Sequence, residues 1–187
     1  MEVLACSSRS EFREWLSLHH ADASECWLAL KVGEPKSDGF YYLDAVEEAL
    51  CFGWIDGVKY KLESVPGMIT QRFSPRRKGS YWSELNKERC RRLERLGLMT
   101  DAGRAVLPDM GAPFVISEDI ARIFKGDALL KRNFESFPVL YQRIRLNSIQ
   151  RESKKPEVYE RMLRNFIAKT RAGIIYGLWT DYGRLYP

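Results

Sequence analysis

Apolar residues near the start of the chain recur with the period of an α-helix. Phe12, Trp15 and Leu16 stand three and four residues apart, so they share one helix face. A Ser-x-x-Glu sequence that begins at Ser8 has the form of a capping box, in which hydroxyl and carboxylate satisfy free backbone N–H groups. The pattern predicts a first helix over about 9–20.

Alternation with a period of two predicts three β-strands. The segments over about 26–32, 54–61 and 68–73 alternate apolar side chains with other side chains. The sequence Ser64-Val65-Pro66-Gly67 predicts a type II turn, with proline and glycine at its centre, and this turn would pair the last two strands antiparallel. We therefore expect a small antiparallel sheet.

A short amphipathic helix over about 43–51 is predicted between the first two strands. Its apolar residues share one face, and Gly53 has the position of the residue that ends a helix. The acidic residues of this segment are expected to point away from the core. They are Asp44, Glu47 and Glu48.

A basic loop over 74–83 and another helix follow the sheet. Ser83 would cap a helix over about 84–96, which Gly97 would end. The residues expected on its packed face are Leu85, Arg89, Leu93 and Leu96. The residues expected on its exposed face are Lys87, Arg91 and Arg95.

The helical period continues through the rest of the chain. Helices are predicted to begin at Ser117, near residue 129, near residue 138 and at Pro156, since proline suits the first helical position. We expect an α+β fold. Residues 1–110 would form a small antiparallel sheet packed on helices, and residues 111–187 a helical C-terminal region.

Composition indicates a globular protein with an uneven distribution of charge. Of the 187 residues 45% are hydrophobic, yet no apolar run approaches the roughly 18 residues of a membrane span. The N-terminal residues do not have the pattern of a signal peptide, so a cytoplasmic protein is expected. Residues 1–66 carry 6 basic and 12 acidic side chains, whereas residues 67–104 carry 10 and 4. This asymmetry would serve either an internal electrostatic fit or an anionic partner.

The cysteines and histidines predict neither a metal site nor a nucleophile. The four cysteines form no C-x-x-C pair, and the two histidines are adjacent, at the end of the first helix. All the cysteines but Cys6 fall in apolar segments, which indicates buried free thiols. No serine or cysteine stands in a recognised hydrolase motif, and no cofactor is expected.

An ordered set of motifs resembles the YdeI-like, OmpD-associated family, whose members are usually labelled bacteriocin-protection proteins. The motifs are EALCFGWIDG at 48–57, QRFSPRR at 71–77, SYWSELN at 80–86 and GLMTDAGR at 97–104. The resemblance covers roughly residues 10–110. Farther on, RLNSIQ at 145–150 stands where the family commonly has a helix with Trp-Ile and Ala-Lys. The resemblance implies a bacterial cytosolic protein linked to bacteriocin or envelope stress, and it carries over no catalytic residues.

The basic loop is the strongest candidate for a ligand site. Its cations precede a helix N-terminus, where free N–H groups and the positive end of the dipole favour phosphate or carboxylate. Trp82 would stack on a ring of the ligand. The residues assigned to this site are Trp54, Arg72, Arg76, Arg77, Lys78, Ser80, Trp82 and Ser83. The alternative is a solvated loop whose arginines pair with the acidic residues of the helix over 43–51.

Asp56 is the second candidate, and its role would be catalytic. An acid at the start of an apolar strand would act as a general base, or would orient Arg72 or Arg76. The alternative is a structural ion pair or a turn hydrogen bond. A hydrolase or transferase that uses Asp56 is therefore the third hypothesis for function.

Sequence-independent binding of nucleic acid is the second hypothesis for function. A pI near 9.0 and four arginines on the helix over 84–96 are compatible with binding a phosphate backbone. The alternative is a solvated face interleaved with Glu88 and Glu94. The first hypothesis for function is a stress-protection-type protein that binds a small anion. Basic residues gathered beside Trp54, Asp56 and Trp82 would favour it over nucleic-acid binding.

Overall fold

The computed structural model describes residues 2–62 and 65–185, which divide into two compact units. The first unit comprises Met1–Trp82 and Glu88–Met110, and the second comprises Ser83–Lys87 and Gly111–Pro187. The first unit thus ends at Met110, and residues 83–87 at the start of the third helix belong to the second unit.

A three-stranded sheet with order β1-β3-β2, antiparallel at both pairings, forms the β-structure of the first unit. The strands are β1 (Cys26–Lys31), β2 (Trp54–Lys61) and β3 (Met68–Pro75). The helices up to residue 110 are α1 (Arg9–His19), α2 (Tyr42–Cys51), α3 (Glu84–Arg95) and α4 (Asp101–Ala105). The later helices are α5 (Glu118–Gly126), α6 (Ala128–Ser136), α7 (Val139–Gln150) and α8 (Pro156–Arg171). The α+β prediction is confirmed.

The turn between β2 and β3 has the predicted type II form in its described part. Val65 O accepts from Met68 N at 3.2 Å, and Gly67 has φ +80°, the conformation that the third turn position requires. Ser64, which the prediction included, lies outside the described residues. A β-bulge after Asp56 then shifts the register, so Asp56 pairs with Phe73 while Lys59 pairs with Gln71.

The ends of the helices follow the sequence signals. Ser8 Oγ accepts from Glu11 N at 3.2 Å, as in a capping box, but the Glu11 carboxylate binds Ser7 N instead of Ser8 N. At the end of α3, Gly97 N donates to Glu94 O at 2.9 Å and Leu98 N donates to Leu93 O at 2.9 Å, which is a Schellman motif.

The acidic residues of α2 are buried, which corrects the expectation that they point into solvent. Asp44, Glu47 and Glu48 are 7%, 0% and 1% exposed. Arg9 Nη1 of α1 lies 2.7 Å from Glu47 Oε2, and Arg92 Nη1 of α3 lies 2.9 Å from Glu47 Oε1. Neighbouring helices therefore cover the polar face of α2 with cations, and part of the charge asymmetry is an internal electrostatic fit.

The packed face of α3 also differs from the prediction. Cys90 and Leu93 are buried and Arg89 is only 8% exposed, but Leu96 is 53% exposed, because it lies beyond the last helical residue. The four cysteines are free thiols, and all but Cys6 are buried, as their apolar surroundings predicted.

Each unit has its own hydrophobic core. The core of the first unit includes Phe12, Leu50, Trp54 and Phe73, and the core of the second includes Leu130, Tyr141 and Phe166. Within the described part of the chain, no helix combines the length and the apolar character that crossing a bilayer requires.

Candidate functional site

A cavity of about 420 Å³ lies beside the basic loop in the first unit; we call it the loop cavity. Two segments line it: a loop side with Arg76, Lys78, Gly79, Ser80 and Trp82, and a wall with the consecutive residues Ala105, Val106, Leu107 and Pro108. The structure therefore brings together four of the eight residues assigned to the ligand site from sequence.

A tight turn shapes the loop side of the cavity. Ser80 N donates to Arg77 O at 3.0 Å, and Gly79 has φ +73°, a conformation in which a side chain would be strained. The turn places Lys78 and Ser80 at the cavity, whereas Arg77 is exposed and does not line it. Adjacent cations of the same loop thus have different surroundings.

Arg76 is the most buried cation of the loop. Its guanidinium carbon lies 3.6 Å from the centroid of the Trp82 ring, a cation–π contact. Its Nη1 donates to Ser80 Oγ at 3.1 Å and to the carbonyl oxygen of Tyr81 at 2.9 Å. Arg76 is only 8% exposed, and its Nε is buried without a hydrogen-bond partner.

The charge of Arg76 lacks a carboxylate partner within the described part of the chain. Both of its side-chain hydrogen bonds go to neutral oxygens, and it forms no salt bridge with a described residue. Desolvation by burial lowers the pKa of Arg76, while Cys90 and Asp56 act in the opposite direction through their charges. A buried cation without a counter-ion is costly, so an anion in the loop cavity would be stabilised there.

Trp82 is less available to a ligand than the sequence suggested. It is 8% exposed, and the Arg76 guanidinium lies over its ring. The stacking position on that face is therefore already occupied by a side chain of the protein. Trp82 serves to hold Arg76 in place at the cavity.

The wall of the cavity is fixed by the docking of α4 on the end of α2. Thr100 Oγ1 donates to the carbonyl oxygen of Cys51 at 2.6 Å, and Thr100 N donates to the same oxygen at 3.1 Å. A Cβ added to Gly103 would lie 2.2 Å from that oxygen, so only glycine permits this approach. This wall was not predicted from the sequence. The signal that could have indicated it is the apolar run Ala-Val-Leu-Pro, which follows the motif at 97–104.

Three of the other assigned residues lie elsewhere in the structure. Trp54 is 1% exposed, and its Nε1 donates to His20 O at 3.1 Å, so it belongs to the core and not to the cavity, which corrects its assignment. Arg72 Nη1 pairs with Glu25 Oε2 at 3.4 Å on the sheet. Ser83 belongs to the second unit and lines a different cavity, of about 500 Å³.

The N-terminus of α3 is satisfied within the second unit. Glu84 N donates to Asn147 Oδ1 at 3.0 Å, and Asn86 N donates to Ser83 Oγ at 3.2 Å. The Glu84 carboxylate is buried there and pairs with Lys87 at 2.8 Å. Two of the N–H groups that the sequence offered to an anion therefore have acceptors within the protein, and a carboxylate lies beside them.

Asp56 makes a hydrogen bond instead of an ion pair with Arg72 or Arg76. Its Oδ2 accepts from the Tyr42 hydroxyl at 2.7 Å. This contact joins the start of β2 to α2. It agrees with the structural alternative for Asp56, a hydrogen bond in place of a catalytic role.

The arginines of α3 are engaged by internal acceptors. Arg91 Nη1 lies 3.1 Å from Glu88 Oε2, and Arg92 Nη1 lies 2.9 Å from Glu47 Oε1. Arg95 is largely exposed, with its Nη1 3.9 Å from Glu88 Oε1. The basic stripe expected for nucleic-acid binding is therefore largely neutralised.

Within residues 2–62 and 65–185, no group of three or more histidine, cysteine or acidic side chains has an arrangement that could hold a metal ion. No curated protein and no solved structure matches the chain. A family model described as a domain of unknown function, DUF8412, matches residues 4–106, which include the sheet, the basic loop and the first two of the four wall residues. This match spans more than half of the sequence, and the chain therefore belongs to the DUF8412 family.

Proposed function

We propose that the protein binds a small anion in the loop cavity. The single observation that carries this proposal is Arg76, a buried guanidinium that bonds only to neutral oxygens and forms no salt bridge with a described residue. Charge-assisted hydrogen bonds from a guanidinium to a carboxylate or phosphate are about twice as strong as neutral ones. An anion would therefore offset the desolvation cost of Arg76.

The surroundings of Arg76 support the same proposal. Lys78 adds a second cation at the cavity, and Ser80 adds a hydroxyl. The volume of about 420 Å³ lies within the range of small-molecule sites, about 300–1,000 Å³. Because Trp82 and the Tyr81 carbonyl hold the guanidinium in place, the ligand would meet a preorganised cation.

The loop contains a matched pair of residues for a test of this proposal. Arg77 and Lys78 are adjacent exposed cations, but only Lys78 lines the cavity. NMR titration with acetate and with inorganic phosphate, at constant ionic strength, would measure the dissociation constants of both alanine variants. We expect Lys78→Ala to weaken binding by about tenfold, as for the loss of one charge-assisted hydrogen bond, and Arg77→Ala by less than about twofold.

Equal weakening by the two variants would indicate diffuse attraction to a basic loop and would refute a defined site. Amide shifts at Gly79 and Ser80, with the indole signal of Trp82, would locate the bound anion. Arg76→Gln is expected to abolish binding, and a circular dichroism spectrum would establish that this variant is folded.

Nucleic-acid binding receives less support, because Arg91 and Arg92 are paired with Glu88 and Glu47. An enzymatic role for Asp56 likewise receives less support, because its carboxylate is bound by the Tyr42 hydroxyl. We propose a cytoplasmic location from the free cysteines, which suit a reducing compartment. A role in bacteriocin or envelope stress is a proposal that rests on the motifs at 48–104 alone.

A further inference from the structure

The two segments that line the loop cavity differ in polarity. The loop side carries Arg76, Lys78 and Ser80, and the wall is a continuous apolar segment over 105–108. Val106 and Leu107 pack against the core of the first unit, so this segment is held in place from behind. A ligand that fills the cavity would therefore meet cations on the loop side and hydrocarbon on the wall.

The number of oxygens that need donors favours a carboxylate over a phosphate. A carboxylate has two oxygens, and the polar side chains that could bind them, those of Arg76, Lys78 and Ser80, all belong to the loop side of the cavity. A phosphate monoester has about −1.5 to −2 charges at pH 7 and three strongly accepting oxygens. The apolar wall offers no side-chain donors, so phosphate oxygens facing it would lose water without gaining hydrogen bonds.

From this polarity we infer that the loop cavity takes a monocarboxylate with a short apolar chain, its carboxylate at Arg76 and Lys78 and its chain against Val106, Leu107 and Pro108. The inference rests on the proposed function and adds the chemical class of the ligand. It assigns binding energy to the wall as well as to the cations.

A series of probes with one variable feature would test this inference. Calorimetry or NMR titration would compare acetate, butyrate and hexanoate, which differ only in chain length, and butyl phosphate, which differs from them in the head group. Each buried methylene is expected to tighten binding by about fourfold, so hexanoate would bind at least about tenfold more tightly than acetate. Hexanoate would also bind more tightly than butyl phosphate.

A near-isosteric change in the wall would test the position of the chain. Val106→Thr replaces a methyl group with a hydroxyl, and we expect it to weaken hexanoate binding about three- to tenfold while leaving acetate binding within twofold. Val139→Thr is the matched control, since Val139 is 68% exposed in the second unit and should change neither affinity.

The outcomes separate this inference from the proposal on which it rests. If acetate and hexanoate bind equally, or butyl phosphate binds more tightly than hexanoate, the inference is refuted while dependence on Lys78 still supports an anion site. If none of the probes binds, both are refuted. If hexanoate binds tightly but Val106→Thr has no effect, the chain lies elsewhere and the assigned wall is wrong.

Discussion

Replacing Gly103 with alanine should weaken the docking of α4 on α2 and shift the wall of the loop cavity. In the native backbone the added Cβ would lie 2.2 Å from the carbonyl oxygen of Cys51, 2.7 Å from its carbonyl carbon and 3.0 Å from Leu50 O. Ordinary contact between such atoms needs about 3.5 Å, so the two helices must separate locally by about 1 Å. The clash is with backbone, which cannot rotate away as a flexible side chain would.

The expected cost has three parts. Overpacking of this kind costs about 1–3 kcal/mol. The two hydrogen bonds from Thr100 to the carbonyl oxygen of Cys51, at 2.6 and 3.1 Å, would lengthen, and each is worth about 1 kcal/mol. Alanine regains up to about 1 kcal/mol through its higher helix propensity. The free energy of unfolding should fall by about 2–4 kcal/mol, and the melting temperature by about 5–15 °C.

Gly126 provides the matched control, because it is the last residue of α5, lacks a positive φ and has no atom within 4 Å of an added Cβ. Urea unfolding followed by circular dichroism should show Gly126→Ala unchanged or more stable by up to about 1 kcal/mol. A Gly103→Ala variant as stable as wild type would refute the close approach of α4 and α2. If that variant is destabilised, its affinity for hexanoate should also fall, since residues 105–108 follow directly.

Two further predictions concern buried groups. Glu47→Ala should lower the free energy of unfolding by about 3–5 kcal/mol, because it removes a fully buried carboxylate that pairs with both Arg9 and Arg92. Glu94→Ala, which removes an exposed pair with Arg104, should cost less than about 1 kcal/mol in the same urea assay. Equal losses would contradict the burial of α2. Burial raises the pKa of Cys26 and of Cys90 to about 12, so at pH 8 a thiol reagent should modify these side chains only after unfolding. The folded state favours the protonated thiols, so the free energy of unfolding should decline as pH rises from 9.0, the ordinary pKa of a thiol, towards 12. A constant free energy of unfolding across that range would contradict the burial of these two thiols.

The candidate site could be predicted from the sequence only where its residues are neighbours in the chain. Arg76, Lys78, Ser80 and Trp82 come together because one tight turn joins them. The cavity wall comes from more than twenty residues later, and its position depends on the contact between Gly103 and Cys51. No local pattern contains that contact.

Other residues were assigned to the site because they are close in sequence or similar in chemistry. Trp54 packs in the core instead. The side chain of a residue at the start of a strand can lie on either face of the sheet, and the tertiary packing decides which. Ser83 caps α3, as predicted, but the N–H groups of that helix end bind acceptors that include Asn147, which is 63 residues away from Glu84. A helix N-terminus in a sequence is available to a ligand only if the fold leaves it unpaired.

The sequence by itself determined the elements of this protein, because helix and strand periods, capping residues and turn glycines act within a few residues of one another. It thereby determined the α+β class and the basic loop. Only the tertiary structure decided that α2 would be buried on its acidic face, because that requires Arg9 and Arg92 to reach Glu47 from other helices. It also decided that Arg76 would lack a carboxylate partner among the described residues, since ion pairing depends on which side chains the packing brings within a few ångströms.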